Sequence, residues 1–195
     1  LTMEVGLTDC IGNPIALKNT ARLALPQDIE KGDFILNEIL FNPVTSGRDF
    51  IELYNTSNKV LNTADLVFSN AEIIDGNLAN APSIQTRTVD VNWLVFPNEY
   101  VVITDDPDQV RGQYNTPNPT LFVENNLPTY NDKEGTVFLY AAYDSMYLDN
   151  QGNPQIAFLA KVMDLFEYSE DFHSPLIDDK NGVSLERIDF DAPTN

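Results

Sequence analysis

The chain has 195 residues, 43% of them hydrophobic and 10% aromatic, enough apolar material for one large core, and its single cysteine, Cys10, closes no disulfide within the chain. Thirty Asp and Glu stand against eleven Lys and Arg, a formal charge of −19, which repels phosphate backbones and anionic lipid and excludes nucleic acid as the expected partner. No apolar run reaches the ~18 residues of a membrane-spanning helix and no basic-then-apolar leader is present, so the expectation is an excised mature piece of a larger protein, without membrane insertion.

The first thirty residues differ from the rest. Leu7 to Ile15 (LTDCIGNPI) resembles the closing segment of bacterial immunoglobulin-like domains, in which an L-T-D-x-x-G-N pattern precedes the last strand. That resemblance implies that Ala21 to Leu25 is the final strand of an upstream domain, that Pro26 to Gly32 is a linker, and that residues 1–31 are an extension to a second domain spanning 32–195. A lone strand has no core of its own. The tail is therefore expected to be loose, packed on a sheet edge, or paired with another molecule.

Phe34 to Phe41 is an extended apolar run broken only by Asn37 and Glu38, and Asn42-Pro43 closes it, because the ring removes a ladder donor and restricts its predecessor. Asp49 to Tyr54 alternates Phe50, Glu52 and Tyr54 with Ile51 and Leu53. Both read as strands. Thr45-Ser46-Gly47 between them reads as the turn of an antiparallel hairpin, with Gly47 free to take positive φ, and Asn55 to Asn58 as the next turn. Asn37-Glu38-Ile39 followed by Phe50 to Asn55 (FIELYN) resembles the start of a lamin tail domain. The resemblance implies an all-β, immunoglobulin-like β-sandwich with loop insertions; it names a module and no reaction.

Downstream, strand signals recur between loops, as a sandwich requires. Leu66 to Phe68 is a short strand, and the polar stretch from Asn70 to Asp90 reads as a lid or a loop with strand fragments. Trp93 to Phe96 and Glu99 to Thr104 flank Pro97-Asn98 and resemble the lamin-tail L-x-P-x-x-Y-V-V-I element. Asp105 to Tyr114 predicts one or two helical turns with Asp106 as N-cap and Pro107 at the first helical position. Thr136 to Ala142 is the next strand, whereas Ala141 to Phe166, with a turn at Asp149 to Asn153 and a strand or helix over Ile156 to Leu165, reads as an insertion of open strand order. Finally, His173, Leu176 and Gly182 to Ile188 (GVSLERI) resemble a C-terminal pattern of lamin tail domains of Bacteroidetes-type proteins. The core is expected to draw on Phe34, Leu36, Ile51, Leu53, Val102, Leu139 and Leu185.

Chemistry-bearing residues are few. One histidine, one cysteine and no nucleophile elbow leave little material for a triad or a zinc site. His173 reads as a structural imidazole bonding a loop carbonyl, since its two ring nitrogens have distinct roles. Glu38, Glu52 and Glu186 are the best carboxylate-pair candidates for a hydrolase, against a structural alternative in which Glu38 and Glu52 meet Arg48 or Arg187. An EF-hand register on Gly182 fails, because Ile177 and Ile188 fall where ligands belong. Asp105, Asp106 and Asp108 form a looser calcium candidate, the alternative being acids that complement a helix N-terminus.

Tyr114, Tyr130, Tyr143 and Tyr147 lie in loop or insertion contexts and form the candidate binding surface for a protein or a glycan, with sandwich-edge packing as the alternative. The expectation is a non-catalytic interaction or structural module, without an obligate cofactor, of a larger bacterial protein placed outside the cell, on its surface or in the periplasm. The resemblance implies adhesion, anchoring or domain spacing. A calcium-dependent glycan-binding module and an accessory domain of a secreted hydrolase are the alternatives.

Overall fold

The computed structural model describes residues 10–11, 22–73, 85–117, 121–149, 151–190 and 192, and at 145–148 and 155–158 it describes backbone. The fold is all-β. Its strands in chain order are β1 (Phe34–Leu40), β2 (Phe50–Asn55), β3 (Leu61–Asn62), β4 (Leu66–Ser69), β5 (Thr86–Thr88), β6 (Leu94–Val95), β7 (Tyr100–Thr104), β8 (Phe122–Glu124), β9 (Glu134–Leu148), β10 (Pro154–Ser169) and β11 (Leu185–Glu186), with one helix, α1 (Pro107–Gln113), between β7 and β8. A five-stranded sheet, β11-β1-β2-β7-β8, packs on a four-stranded sheet, β10-β9-β4-β5, in an immunoglobulin-like sandwich, and β3 pairs with β6 at the side. All these pairings are antiparallel except β7 with β8, which α1 joins as a crossover.

Side-chain alternation fills the space between the sheets. Phe34, Ile51, Leu53, Val101 and Ile103 of the first sheet meet Leu66, Phe68, Val137 and Leu139 of the second, all without exposed surface. Val102, expected in this core, belongs elsewhere. Its neighbours Val101 and Ile103 point inward, so strand periodicity turns Val102 outward, where it packs with Leu40, Phe50 and Val110 beneath α1. The helix begins as its sequence dictates: Asp106 Oδ1 accepts from Gln109 N at 3.0 Å, and Pro107 occupies the first turn.

The first hairpin forms with its expected strands, but positive φ falls on Ser46 (65°) and not on Gly47. Gly47 N donates to Val44 O at 2.6 Å, which makes Ser46 the third residue of a four-residue turn, the position that takes positive φ in type II geometry. Gly47 is needed for space instead. A Cβ there would stand 2.8 Å from both Pro43 Cβ and Val44 O.

The stretch read as an insertion is one long hairpin. β9 and β10 pair from Ser169↔Glu134 to Pro154↔Leu148, closed by the Asp149 turn, where Asp149 O accepts from Gly152 N at 2.9 Å. The paired register extends β9 well past Ala142, so the strand order left open is β10-β9-β4. Asp164, beside a register shift in β10, crosses between the sheets: its Oδ2 accepts from Leu36 N at 2.9 Å and pairs with Arg187 at 3.2 Å.

Of the N-terminal extension, Leu7 to Ile15 lies outside the described residues apart from the exposed Cys10 and Ile11. Residues 22–25 form no strand. They run along the sandwich instead: Arg22 bridges Glu99 at 2.6 Å and lies 4.0 Å over the Phe96 ring, and Gln27 N donates to Val60 O at 2.9 Å. Ile29 packs against the main core, and Lys59 gathers Glu30 at 2.6 Å and Asp33 at 2.8 Å.

Candidate functional site

A bulge in β1 creates the site. Leu36 opposes Leu53 and Glu38 opposes Glu52, so Asn37 is an extra residue with no opposite number. Leu36 and Ile39 face the inter-sheet core, while Asn37 and Glu38 both line a cleft on the outer face of the five-stranded sheet. An unbroken strand would have sent one of that pair inward. Glu38 is also opposite Glu186 of β11. Three glutamates from adjacent strands therefore stand abreast, strands being about 4.8 Å apart.

Among the described residues no lysine or arginine pairs with any of the three. The expectation that Glu38 and Glu52 meet Arg48 or Arg187 is overturned. Arg48 sits at the sheet's end, 3.6 Å from Asp105. Arg187 turns under the bulge, where its Nε donates to Leu36 O at 3.0 Å and its Nη2 pairs with Asp164. Register, which sequence spacing does not reveal, sets like charges side by side.

The electrostatic consequence is clear. Burial raises the Glu52 carboxyl to about 7, opposed by the hydrogen bond from Asn37 and reinforced by Glu38 and Glu186. Burial likewise raises Glu38, against the hydrogen bond from Ser184 and with the charge of Glu186. Asn37 Nδ2 donates to Glu52 Oε1 at 2.8 Å, and Ser184 Oγ to Glu38 Oε1. Asn37 is 5% exposed, yet its Oδ1 has no hydrogen-bond partner, a costly state for a buried acceptor.

The cleft holds about 420 Å³ and is walled by Tyr100 and Val102 of β7, Val110 and Tyr114 at α1, and Phe122 of β8. Tyr114 is fixed at the helix C-cap, its hydroxyl donating to Gly182 O at 3.2 Å and its ring set edgewise on Phe50 at 5.7 Å. Tyr100 lies against Tyr54 with ring centroids 4.5 Å apart and planes tilted by 31°. An acidic floor thus lies between aromatic walls.

The tyrosines expected to form one surface do not converge. Tyr114 lines the cleft, but Tyr130 is buried in the main core at 4% exposure, and Tyr143 is an exposed residue of β9 in the other sheet. Tyr147 lies in β9, and its side chain is outside the described residues. The three aspartates also divide their roles: Asp105 pairs with Arg48, Asp106 caps α1, and Asp108 pairs with Arg111 at 2.6 Å. Among the described residues, no three His, Cys, Asp or Glu side chains are grouped to hold a metal ion.

His173 is the structural imidazole expected. It is 6% exposed, with Nδ1 3.0 Å from Glu170 O and Nε2 2.9 Å from Val183 O, and so ties the loop after β10 to the approach to β11. Asn37 was not singled out as a site residue. Its signal is two successive polar residues inside an apolar strand, a pattern that strict alternation does not produce. No protein-family profile matches the chain, and no curated protein matches it.

Proposed function

We propose that the chain is a non-catalytic binding module of a larger bacterial protein, extracellular, at the cell surface or in the periplasm, and that it engages its partner through the acidic cleft. The observation that carries this reading is the unpartnered, buried Oδ1 of Asn37 beside three carboxylates that lack a counter-cation among the described residues. Such an arrangement costs stability, and costs of this kind collect at functional sites. The resemblance to lamin tail domains supports a role in adhesion, anchoring or spacing.

A hydrolase is the second reading, favoured by one observation: a carboxyl held near 7 beside another raised carboxyl, in an open cleft. Geometry weighs against it. Glycoside hydrolysis needs carboxyls flanking the scissile bond, whereas these three rise from adjacent strands of one sheet face. A ligand lying on that floor meets all of them from the same side.

Immobilised glycans and purified candidate partner proteins, screened with and without calcium, test the proposal. The expected result is a partner that binds without calcium and is lost when Tyr100→Ala is combined with Glu38→Gln, while Tyr143→Ala leaves binding unchanged. Binding that survives the cleft variant, or cleavage of a bound glycan that ceases with Glu52→Gln, overturns it.

A further inference from the structure

Resting on the reading of the cleft as the binding surface, we propose that its ligand is a guanidinium group, the side chain of an arginine in a partner polypeptide. The floor is dominated by acceptors, the carboxyl groups of Glu38, Glu52 and Glu186. Asn37 Nδ2 and the Ser184 hydroxyl are already used on Glu52 Oε1 and Glu38 Oε1, which leaves the second oxygens of both glutamates and the Glu186 carboxylate to be met from outside, while Asn37 Oδ1 lies buried behind them. Three strands about 4.8 Å apart spread these acceptors over roughly 10 Å. One ammonium is a compact charge, whereas a guanidinium presents five donors in a planar fork, engages carboxylates two bonds at a time, and stacks on aromatic faces. Tyr100 and Tyr114 provide walls for that stacking.

The same bulge already holds one arginine on its inner side. There the Arg187 guanidinium, 9% exposed, is met by the Asp164 carboxylate and by the Leu36 and Ala192 carbonyls. The outer side offers carboxylates of the same kind, without a cation of the described residues in place. The formal charge of −19 adds long-range attraction for a basic partner. Glu52 faces Glu38 of β1, Glu186 of β11, and the Tyr54 and Tyr100 phenols of β2 and β7, with Tyr114 across the cleft. Binding accordingly strengthens as pH rises through 7 and Glu52 ionises.

The test is titration of the whole chain with the peptide acetyl-Gly-Arg-Gly-amide, followed by backbone amide shifts of residues 37, 38, 52, 100, 114 and 122. Matched peptides carry lysine or the neutral isostere citrulline, and free arginine and a neutral oligosaccharide form further arms. The expected result is saturable shifts at the cleft with the arginine peptide, at least tenfold weaker binding of citrulline, weaker binding of lysine, and at least tenfold weakening by Glu52→Gln at pH 8. Equal binding of citrulline, or free arginine binding tenfold tighter than the peptide, overturns the proposal. If the oligosaccharide shifts the cleft and the arginine peptide does not, the guanidinium assignment falls while the cleft remains a binding surface. If none of these probes shifts the cleft, the guanidinium assignment falls, and partner binding that survives the cleft variants removes the binding-surface reading with it.

Discussion

Replacing Glu52 by glutamine should stabilise the protein above neutrality and leave it unchanged in acid. The folded carboxyl is raised from its ordinary 4.5 to about 7 by burial and by Glu38 and Glu186. Between those values the folded chain keeps a proton that the unfolded chain has lost, so stability falls as pH rises from 4.5 to 7 and is level beyond. At about 1.36 kcal/mol per pH unit the full displacement corresponds to roughly 3 kcal/mol. The carboxyl lies in an open cleft, and solvent screening reduces the expected effect to about 1 kcal/mol. For a chain of this length that is ~2–4 °C in melting temperature. Glutamine keeps the neutral form at every pH and still accepts from Asn37, so Glu52→Gln should melt that much higher at pH 8 and equal the parent at pH 4.5. Thermal unfolding at pH 4.5, 6 and 8 reads the difference. A variant that melts lower than the parent at pH 8, or differs equally at all three values, would refute the reasoning, because Glu52 would then be balanced by a cation or needed as an anchor.

Leu53, without exposed surface in the main core, should cost about 2–5 kcal/mol when changed to alanine; an unchanged melting curve would remove it from the core. A chain starting at Lys31 loses the Arg22 bridge to Glu99, the Gln27 hydrogen bond and the Ile29 packing. It should melt several degrees below one starting at Arg22, and equal melting would make residues 22–30 a dispensable extension. In moderate salt, millimolar calcium should raise the melting temperature little more than magnesium, since Asp106 is committed to the α1 cap and diffuse screening is already supplied. A large calcium-selective shift, abolished by Asp106→Asn with Asp108→Asn, would restore that cluster as a metal site.

How much could be read without coordinates follows the range of the interactions concerned. The β1 and β2 hairpin, the α1 cap at Asp106-Pro107 and the structural role of His173 were legible, because strand alternation, a capping side chain and a scarcity of nucleophiles act over a few residues or over composition alone. Long-range placement was not. Val102 was assigned to the wrong layer, since alternation names two faces without saying which one the second sheet covers. Residues 1–31 were set apart as an extension, with Pro26 to Gly32 as its linker, because nothing local announces that Arg22 meets Glu99 or that Ile29 reaches the core. The tyrosines grouped by loop context scattered among the core, the cleft and the opposite sheet.

By itself the sequence determined a run of strands and turns, an acidic composition and a scarcity of histidine and cysteine, all properties of composition and short-range pattern, while the sandwich was what the lamin-tail resemblance implied. Tertiary structure alone decided that Glu186, nearly 150 residues after Glu38 in the chain, becomes its cross-strand neighbour, and that a one-residue bulge turns Asn37 and Glu38 onto the same face. Strand register is settled by how two sheets bury their apolar faces together. The glutamates on the opposite face are carried onto neighbouring strands by that choice, whatever their own repulsion prefers.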